Sequence, residues 1–235
     1  MKMKPVLYLC PALLSVNTIP QVLPPEVLHI MHGLRQFVAE DIRTVRRFLS
    51  KTGHPRPIEQ LRFKELNEHT KDRELASFLP YLLAENTGVF SEAGVPGIAD
   101  PGATLVQLAH ANGIKVVPLV GPSSILMALM ASGLNGQSFA FVGYLPVKRD
   151  ERRERLRALE RRSYIEGQAQ IFIETPYRNM QLVNDVLKCC NPSTMLTIAA
   201  DITGAGEYIK TQSILKWKQK LPEINKIPAV FLLQA

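Results

Sequence analysis

Two kinds of apolar spacing alternate along the first half of the chain. Short apolar runs, such as VLYLC from Val6 and TGVF from Thr87, have the length of buried strands. Between them, DIRTVRRFLSKTG carries apolar residues three or four positions apart and ends in a basic turn and a glycine, which indicates a helix. This alternation predicts a mostly parallel α/β sheet.

The remaining elements are predicted in the same way. Helices are expected at PEVLHIMHGL, DRELASFLPYLLAE, GATLVQLAHANG and ILMALMASGL, and a strand at IKVVPLV; QFVAE is a short apolar segment after the first of these helices. A second α/β set has strands at FAFVGYL, AQIFIET, MLTIAAD and IPAVFLLQA and helices at KRDERRERLRALERRS and MQLVNDVLKCC, while EYIKTQSILKWKQKL begins as a strand and continues as a helix. The segment PLVGPSS interrupts the alternation of strands and helices. We therefore predict an N-terminal α/β domain over 1–118 and a C-terminal one over 119–235.

The composition is that of a soluble globular protein, with 46% hydrophobic and 21% charged residues in 235. No apolar run reaches the length of a membrane span, and the short, proline-broken N-terminal stretch is interpreted as a strand rather than a secretory signal. The cysteines, Cys10, Cys189 and Cys190, have neither a disulfide framework nor a metal-binding spacing. We therefore expect a cytoplasmic protein without a membrane or metal partner.

The net charge of +7 permits a polyanionic partner such as RNA without requiring one. The helix that begins near Lys148 carries much of this charge, including Arg152, Arg153 and Arg155. Such a run is either an RNA-contacting rim or a solvated face that is partly neutralised by its own glutamates.

SEAGVPGIADPG, from Ser91 to Gly102, follows a predicted strand and precedes a predicted helix. Ligands of open α/β sheets bind outside the carboxyl ends of strands, and Gly94 and Gly97 would let a ligand rest against the main chain. The motif is neither G-x-G-x-x-G nor a Walker loop, so dinucleotide or triphosphate binding is unsupported. A purely structural turn remains the alternative.

Three shorter motifs have both a structural and a functional interpretation. AEDIR places acidic residues near a helix start, VGPSS offers a helix cap or a ligand contact, and ETPYR ends a strand with a carboxylate, a phenol and a guanidinium. None of them is specific alone.

Taken in order, AEDIR, SEAGVPGIADPG, GIKVVPLVGPSS, FVGYLP and ETPYR resemble the tetrapyrrole methylase superfamily of S-adenosylmethionine-dependent methyltransferases. Within it, the chain is most similar to the ribosomal RNA small-subunit methyltransferase I group, over nearly its full length. The resemblance implies two α/β domains of the tetrapyrrole methylase type with S-adenosyl-L-methionine in the cleft between them, and a homodimer. It also implies a set of cofactor-binding residues: Gly94, Val95, Ile98, Ser123, Ser124, Glu174, Pro228 and Ala229.

The chain departs from the group's pattern in places. The usual Pro-x-Pro-x-Gly-Asn turn after the first strand reads CPALLSVN here, with Pro11 kept, and SDAG reads SEAG. The residue before Arg178 is Tyr177 where the group usually has histidine. These differences indicate a divergent subgroup and bear on the substrate more than on the cofactor.

The resemblance predicts methyl transfer, and three hypotheses follow from it. The favoured one is 2′-O-methylation of a ribose in small-subunit ribosomal RNA; the others are methylation of a tetrapyrrole or another small molecule, and a cofactor-binding module without catalysis. A ribose hydroxyl needs a general base, for which the candidates are Glu40, Asp41, Glu92 and Asp100, with Arg43 as a further catalytic candidate. The predicted substrate-binding residues are Tyr177, Arg178, Arg152, Arg153 and Arg155.

Overall fold

The computed structural model of the protein describes residues 5–15 and 19–235. The chain forms two compact units, Met1–Ser123 and Ser124–Ala235. Each unit contains its own β-sheet with helices, so the predicted α/β class is confirmed. Among the described helices, none combines the length and the apolar character needed to cross a membrane.

The first unit is built on a parallel sheet in the order β3-β2-β4-β1-β5. Its strands are β1 (Val6–Leu9), β2 (Gln36–Ala39), β3 (Arg62–Glu65), β4 (Thr87–Phe90) and β5 (Lys115–Pro118). Its helices are α1 (Ile19–Val22), α2 (Pro25–Gly33), α3 (Ile42–Lys51), α4 (Asp72–Leu75), α5 (Phe78–Ala84) and α6 (Gly102–Ala111).

The helices cover both faces of this sheet. Met31 of α2 and Leu49 of α3 pack in one buried cluster with Phe37. Phe78 of α5 and Leu105 of α6 pack in a second cluster, which includes β-strand residues such as Val89. The inner strands β2 and β4 are therefore buried from both sides, as their apolar runs predict.

The neighbouring strands β1 and β4 end at a topological switch point. The chain that leaves β1 leads to α2 on one face of the sheet, and the chain that leaves β4 leads to α6 on the other face. Where two such connections diverge, a crevice forms at the carboxyl ends of the strands, and open α/β sheets bind their ligands there.

Two sequence-based expectations for the first unit need correction. DRELASFLPYLLAE is interrupted between α4 and α5 instead of forming one helix. Pro80 explains the break, because its ring would clash with the carbonyl of Ala76 inside a continuous helix and is tolerated in a first turn. The strand β3 was not predicted, because its sequence RFKE has no apolar run and lies at the sheet edge.

The second unit has a mixed sheet in the order β6-β7-β10-β8-β9. Its strands are β6 (Phe139–Tyr144), β7 (Ala169–Ile173), β8 (Met195–Ala200), β9 (Tyr208–Ser213) and β10 (Ala229–Gln234), and its helices are α7 (Ser124–Ser132), α8 (Arg149–Glu166), α9 (Asn179–Cys189) and α10 (Ile214–Trp217). β10 runs antiparallel to both β7 and β8. One core cluster joins Leu156 of α8, Leu182 of α9 and Trp217 of α10 to Phe231.

Candidate functional site

The loop Ser91–Gly102 leaves β4 at the switch point of the first unit. The amide of Cys10 donates to the carbonyl of Val89 at 2.8 Å, and the amide of Ala12 donates to the carbonyl of Gly94 at 2.7 Å. These two hydrogen bonds therefore connect the end of β4 and the loop to the segment that follows β1, the strand next to β4. The loop therefore lies at the carboxyl ends of β1 and β4, where open α/β sheets bind their ligands.

Left-handed backbone conformations recur along this loop. Gly94, Gly97 and Ala99 have φ angles of 71°, 88° and 61°. A Cβ atom on Gly94 would lie 3.2 Å from Cδ2 of Leu14 and 3.3 Å from the carbonyl oxygen of Pro122. Glycine is needed at Gly94 both for the φ angle and for the close approach of neighbouring loops.

The loop after β5 packs against the same place. A Cβ atom on Gly121 would collide with the ring of Pro11, and the amide of Leu119 donates to the carbonyl of Leu9 at 3.0 Å. Pro11, the residue that the altered turn CPALLSVN retains, thus fixes the loop that leads to Ser123. The end of that turn, Val16 and Asn17, lies outside the described residues.

Asp100 holds the loop in shape. Its carboxylate accepts hydrogen bonds from the amides of Gly97 at 2.8 Å, Ile98 at 3.1 Å and Gly102 at 2.7 Å. Because both oxygens are engaged by the main chain, Asp100 is placed to brace the loop rather than to receive a substrate proton.

Glu40 and Glu92 meet beside the loop. Glu40 follows β2, and its Oε2 accepts a hydrogen bond from the amide of Glu92 at 3.1 Å. Burial raises the pKa of Glu40, and the nearby carboxylates of Glu92 and Asp100 raise it further against the lowering effect of that hydrogen bond. Glu92 itself is exposed. Glu40 therefore lies beside the loop and has a raised pKa, and shifted pKa values are typical of groups that act in acid–base catalysis.

Asp41 caps a helix. Its Oδ1 accepts a hydrogen bond from the amide of Thr44 at 2.6 Å at the start of α3, and this bond holds the pKa of Asp41 below its usual value. Arg43, one residue into the helix, is exposed. The two neighbouring acidic residues of AEDIR thus differ in the structure. Asp41 caps α3, whereas Glu40 is a partly buried carboxyl group.

Apolar side chains project into solvent around this crevice. Ile98 of the loop is 48% exposed and Val120 is 73% exposed. Val95 and Ser123 are half-buried. Exposed apolar side chains at the carboxyl ends of the strands suit a ligand with an apolar part.

Glu174 occupies the corresponding place in the second unit, directly after β7. Its side chain is fully buried, and its Oε1 accepts hydrogen bonds from the amide of Thr175 at 2.7 Å and from Nη2 of Arg178 at 2.6 Å. Its Oε2 is buried without a hydrogen-bond partner. An orphaned buried carboxylate oxygen is costly, so this atom is a strong candidate to accept a hydrogen bond from a ligand.

Pro228 and Ala229 lie at the same end of the second sheet as Glu174. Val230 of β10 pairs with Ile173 of β7, which puts the start of β10 beside the end of β7. On the other side, the amide of Asp201 donates to the carbonyl of Pro228 at 3.0 Å. Ser124, the remaining predicted contact, is the first residue of α7.

Curated relatives identify the family. The chain is 34% identical over 188 residues to ribosomal RNA small subunit methyltransferase I of Xylella fastidiosa, covering 80% of this chain and 66% of that protein. It is 31% identical over 183 residues to the Escherichia coli O157:H7 protein of that name, covering 77% of the chain and 61% of the relative. The Vibrio cholerae protein of that name is 30% identical over 208 residues, covering 88% and 68%.

The chain belongs to the ribosomal RNA small subunit methyltransferase I family. It spans about two thirds of the length of the curated relatives that it matches. No family model matches the chain.

Solved structures agree on the fold. The methyltransferase CobJ superposes with a TM-score of 0.63 at 18% identity, covering 98% of this chain and 94% of that one. Diphthine synthase superposes with a TM-score of 0.65 at 12% identity, covering 98% and 89%. At these identities the likeness establishes the fold alone, which is that of the tetrapyrrole methylases, as the sequence motifs predict.

The three arginines that the sequence predicts to contact RNA differ in how far they are exposed to solvent. Arg152 is 1% exposed in its side chain and donates to Oδ2 of Asp185 through Nη2 at 2.6 Å and through Nε at 2.9 Å. Arg153 donates to the other oxygen of Asp185 at 2.7 Å, whereas Arg155 is exposed. The structure therefore uses Arg152 to anchor α8 on α9, away from solvent, and it leaves Arg155 accessible.

Tyr177 and Arg178 form a short 3-10 helix after Glu174, Pro176–Arg178. Tyr177 is 76% exposed, and Nζ of Lys226 lies 5.8 Å from the centre of its ring. Arg178 is tied to Glu174, so its role in the structure is to orient that carboxylate.

The loop after β8 was missed by the sequence analysis. Asp201 and Thr203 have φ angles of 47° and 68°, and the hydroxyl of Thr203 is buried without a partner. A Cβ atom on Gly204 would collide with the carboxylate of Asp201. Two closely spaced glycines, in DITGAG, were the available signal. Within the described ranges, no group of three histidine, cysteine or acidic side chains is arranged to hold a metal ion.

Proposed function

We propose that this chain is an S-adenosylmethionine-dependent methyltransferase that 2′-O-methylates a ribose of small-subunit ribosomal RNA, and that it acts as a homodimer. The observation that carries the proposal is the braced, glycine-containing loop at the switch point of the first sheet. Membership of a family whose curated members are named as ribosomal RNA methyltransferases supports the reaction and the substrate.

Residues of both units fit the methyl donor. In the first unit, Gly94 permits the left-handed turn of the loop, while Val95 and Ile98 offer apolar contact to an adenosine or a methionine chain. In the second unit, the orphaned Oε2 of Glu174 is an acceptor for a donor group of the ligand, such as an amine or a hydroxyl. Ser123, Ser124, Pro228 and Ala229 complete the proposed set.

Bound S-adenosylmethionine supplies a methyl group that is already activated by its sulfonium. The chain must then hold the ribose hydroxyl in line with that group, which accounts for a large part of such catalysis. We assign Glu40 as the general base that takes the proton from the 2′-hydroxyl, because it is half-buried and its pKa is raised, whereas the pKa of Asp41 is lowered by its capping bond and both oxygens of Asp100 brace the loop. Arg43, which is exposed near Glu40, is proposed to hold a substrate phosphate.

Methyl transfer from a radiolabelled donor tests the proposal. The purified protein is incubated with small ribosomal subunits from cells that lack the gene and, as the control, from cells that retain it. We expect label only in RNA of the deficient subunits, at a single nucleotide that resists alkaline cleavage because its 2′-oxygen is methylated.

Two other results would contradict the RNA assignment. Label in a tetrapyrrole or another small molecule, with none in RNA, would establish the small-molecule alternative. Donor binding measured by calorimetry on a sample that labels neither would establish a cofactor-binding module without catalysis.

A further inference from the structure

A groove of about 510 Å³ opens on the second unit, beside the edge strand β9. Its lining residues are Tyr208, Lys210, Gln212, Lys216, Gln219, Lys220, Leu221 and Pro222. Lysines and glutamines dominate this lining, and none of the described residues that form it is acidic. None of the residues that line the groove is among the donor-binding residues proposed in either unit.

The alternation of strand side chains creates the polar wall of the groove. Tyr208, Lys210 and Gln212 are two positions apart in β9, so their side chains lie on one face of the strand. The other face is occupied, because the hydroxyl of Thr211 donates to the carbonyl of Ser132 at 2.7 Å and lies 2.7 Å from the hydroxyl of Thr197.

A buried tryptophan and a partly buried tyrosine lie beside this wall. Nζ of Lys210 lies 6.0 Å from the centre of the Trp217 ring. Trp217 is 1% exposed, and its indole N–H donates to the carbonyl of Leu196 at 2.8 Å. Tyr208 packs against the same core cluster, so its ring is held against the core, while Lys210 is exposed beside Trp217.

The local charge is strongly positive. Residues 207–226 contain five lysines and two glutamates. Both glutamates are turned to the main chain: Glu207 accepts from the amide of Thr203 at 2.8 Å, and Glu223 accepts from the amide of Asn225 at 3.1 Å. By contrast, α8 balances seven arginines with five acidic residues, and Asp185 lies within salt-bridge distance of three of those arginines.

We propose that the groove of β9 and α10 binds the phosphate backbone of RNA, and that it, rather than α8, supplies the main phosphate contacts of this protein. The inference rests on the proposed function and deepens it. Lysine ammonium groups attract phosphates as point charges, glutamine amides donate to phosphate or ribose oxygens, and the ring of Tyr208 offers a surface for a base.

Salt-dependent binding separates the groove from the helix. The groove variant replaces Lys210, Lys216 and Lys220 by glutamine. The matched control replaces three exposed arginines of α8 by glutamine, namely Arg155, Arg157 and Arg161, and so removes the same charge. The probe is a fluorescent oligouridylate of about 20 nucleotides, which exceeds the span of one such binding surface.

Each phosphate contact with a single strand contributes about 0.7 to the slope of log affinity against log salt, so the groove variant should lower the slope by about 2. The helix control should leave the slope unchanged. Equal slopes for the wild type and the groove variant, or a lower slope for the helix control alone, would overturn the inference.

The methyl-transfer assay distinguishes a failure of the groove proposal from a failure of the proposed function. A groove variant that keeps both the wild-type slope and RNA methylation overturns the groove and leaves the methyltransferase intact. A wild-type protein that binds the donor but neither binds nor methylates RNA overturns both. Circular dichroism of each variant confirms that the fold is retained.

Discussion

At the residue scale, the structure separates side chains that look alike in the sequence. Glu40 and Asp41 are adjacent, yet the first is half-buried beside Glu92 and the second caps α3. Arg152 and Arg155 lie in one basic run, yet the first is buried on Asp185 and the second faces water. Their roles follow from these surroundings, and single substitutions test them.

Replacing Glu40 by glutamine should lower kcat at least about 100-fold with little change in KM, because it removes the proposed general base. Wild-type activity should rise with pH through the raised pKa of Glu40, since a base acts when deprotonated, and the variant should lose that limb. The control is Asp41→Asn, which keeps a capping side chain. Equal losses of kcat in both variants would count against the assignment.

Replacing Asp185 by asparagine should destabilise the protein by about 3 kcal/mol or more, because it leaves the buried guanidinium of Arg152 without its counter-charge. Chemical denaturation measures the change, and Asp150→Asn, an exposed acid on α8, should cost less than about 0.5 kcal/mol.

The Asp185 effect should also depend on pH. Burial opposes the charged form, but hydrogen bonds and charges from Arg152 and Arg153 outweigh it, so the pKa of Asp185 lies below its usual value of 3.8. The stabilisation is therefore fully present above pH 3.8 and is lost as the pH falls through the lower pKa of the folded state. The difference between wild type and variant should shrink in that acidic range; a difference that persists unchanged would refute the ion pair as its source.

At the element scale, the loop Ser91–Gly102 is the feature on which the cofactor assignment depends. Its shape is set internally by Asp100 and by close contacts with the loops after β1 and β5. A substitution at Gly94 would disturb both this shape and any ligand contact. A test of binding therefore needs a side chain that the loop itself does not use.

Ile98 provides that test. Replacing it by aspartate should weaken methyl-donor binding at least about 10-fold, because an apolar contact becomes a charged one, while the melting temperature stays near that of the wild type. Leu83→Asp is the matched control, since Leu83 is 51% exposed on α5 and Ile98 is 48% exposed. Calorimetry measures the affinity; equal affinities for the two variants would remove Ile98 from the donor site.

At the scale of the whole molecule, each unit has its own sheet and core. The cluster around Leu156, Leu182, Trp217 and Phe231 lies entirely within the second unit. The clusters on both faces of the parallel sheet lie entirely within the first. A unit of this size with its own core is expected to fold independently.

A fragment of residues 124–235 should therefore unfold cooperatively on heating, followed by circular dichroism. Asp185→Asn should destabilise the fragment about as much as it destabilises the full chain, because the ion cluster is internal to this unit. A fragment that shows no cooperative transition would show that the second core is insufficient alone.

The sequence by itself determined the order of most elements, the α/β class, the family and the position of the loop Ser91–Gly102 between β4 and α6. These are local properties: the period of apolar residues sets strand or helix, and glycines in SEAGVPGIADPG permit the turns that the loop requires. Where local signals were weak, as in the polar edge strand β3, prediction from the sequence failed.

Only the tertiary structure decided how charged and polar side chains are used. The contact of Glu40 with Glu92 joins residues 52 positions apart, and the pairing of Arg152 with Asp185 joins residues 33 positions apart. No local pattern encodes such meetings, because they depend on which strands become neighbours and which helix faces become buried. For the same reason, the sequence does not show that lysines of residues 210–220 line one groove, or that two arginines of the basic helix α8 are held by Asp185 of α9.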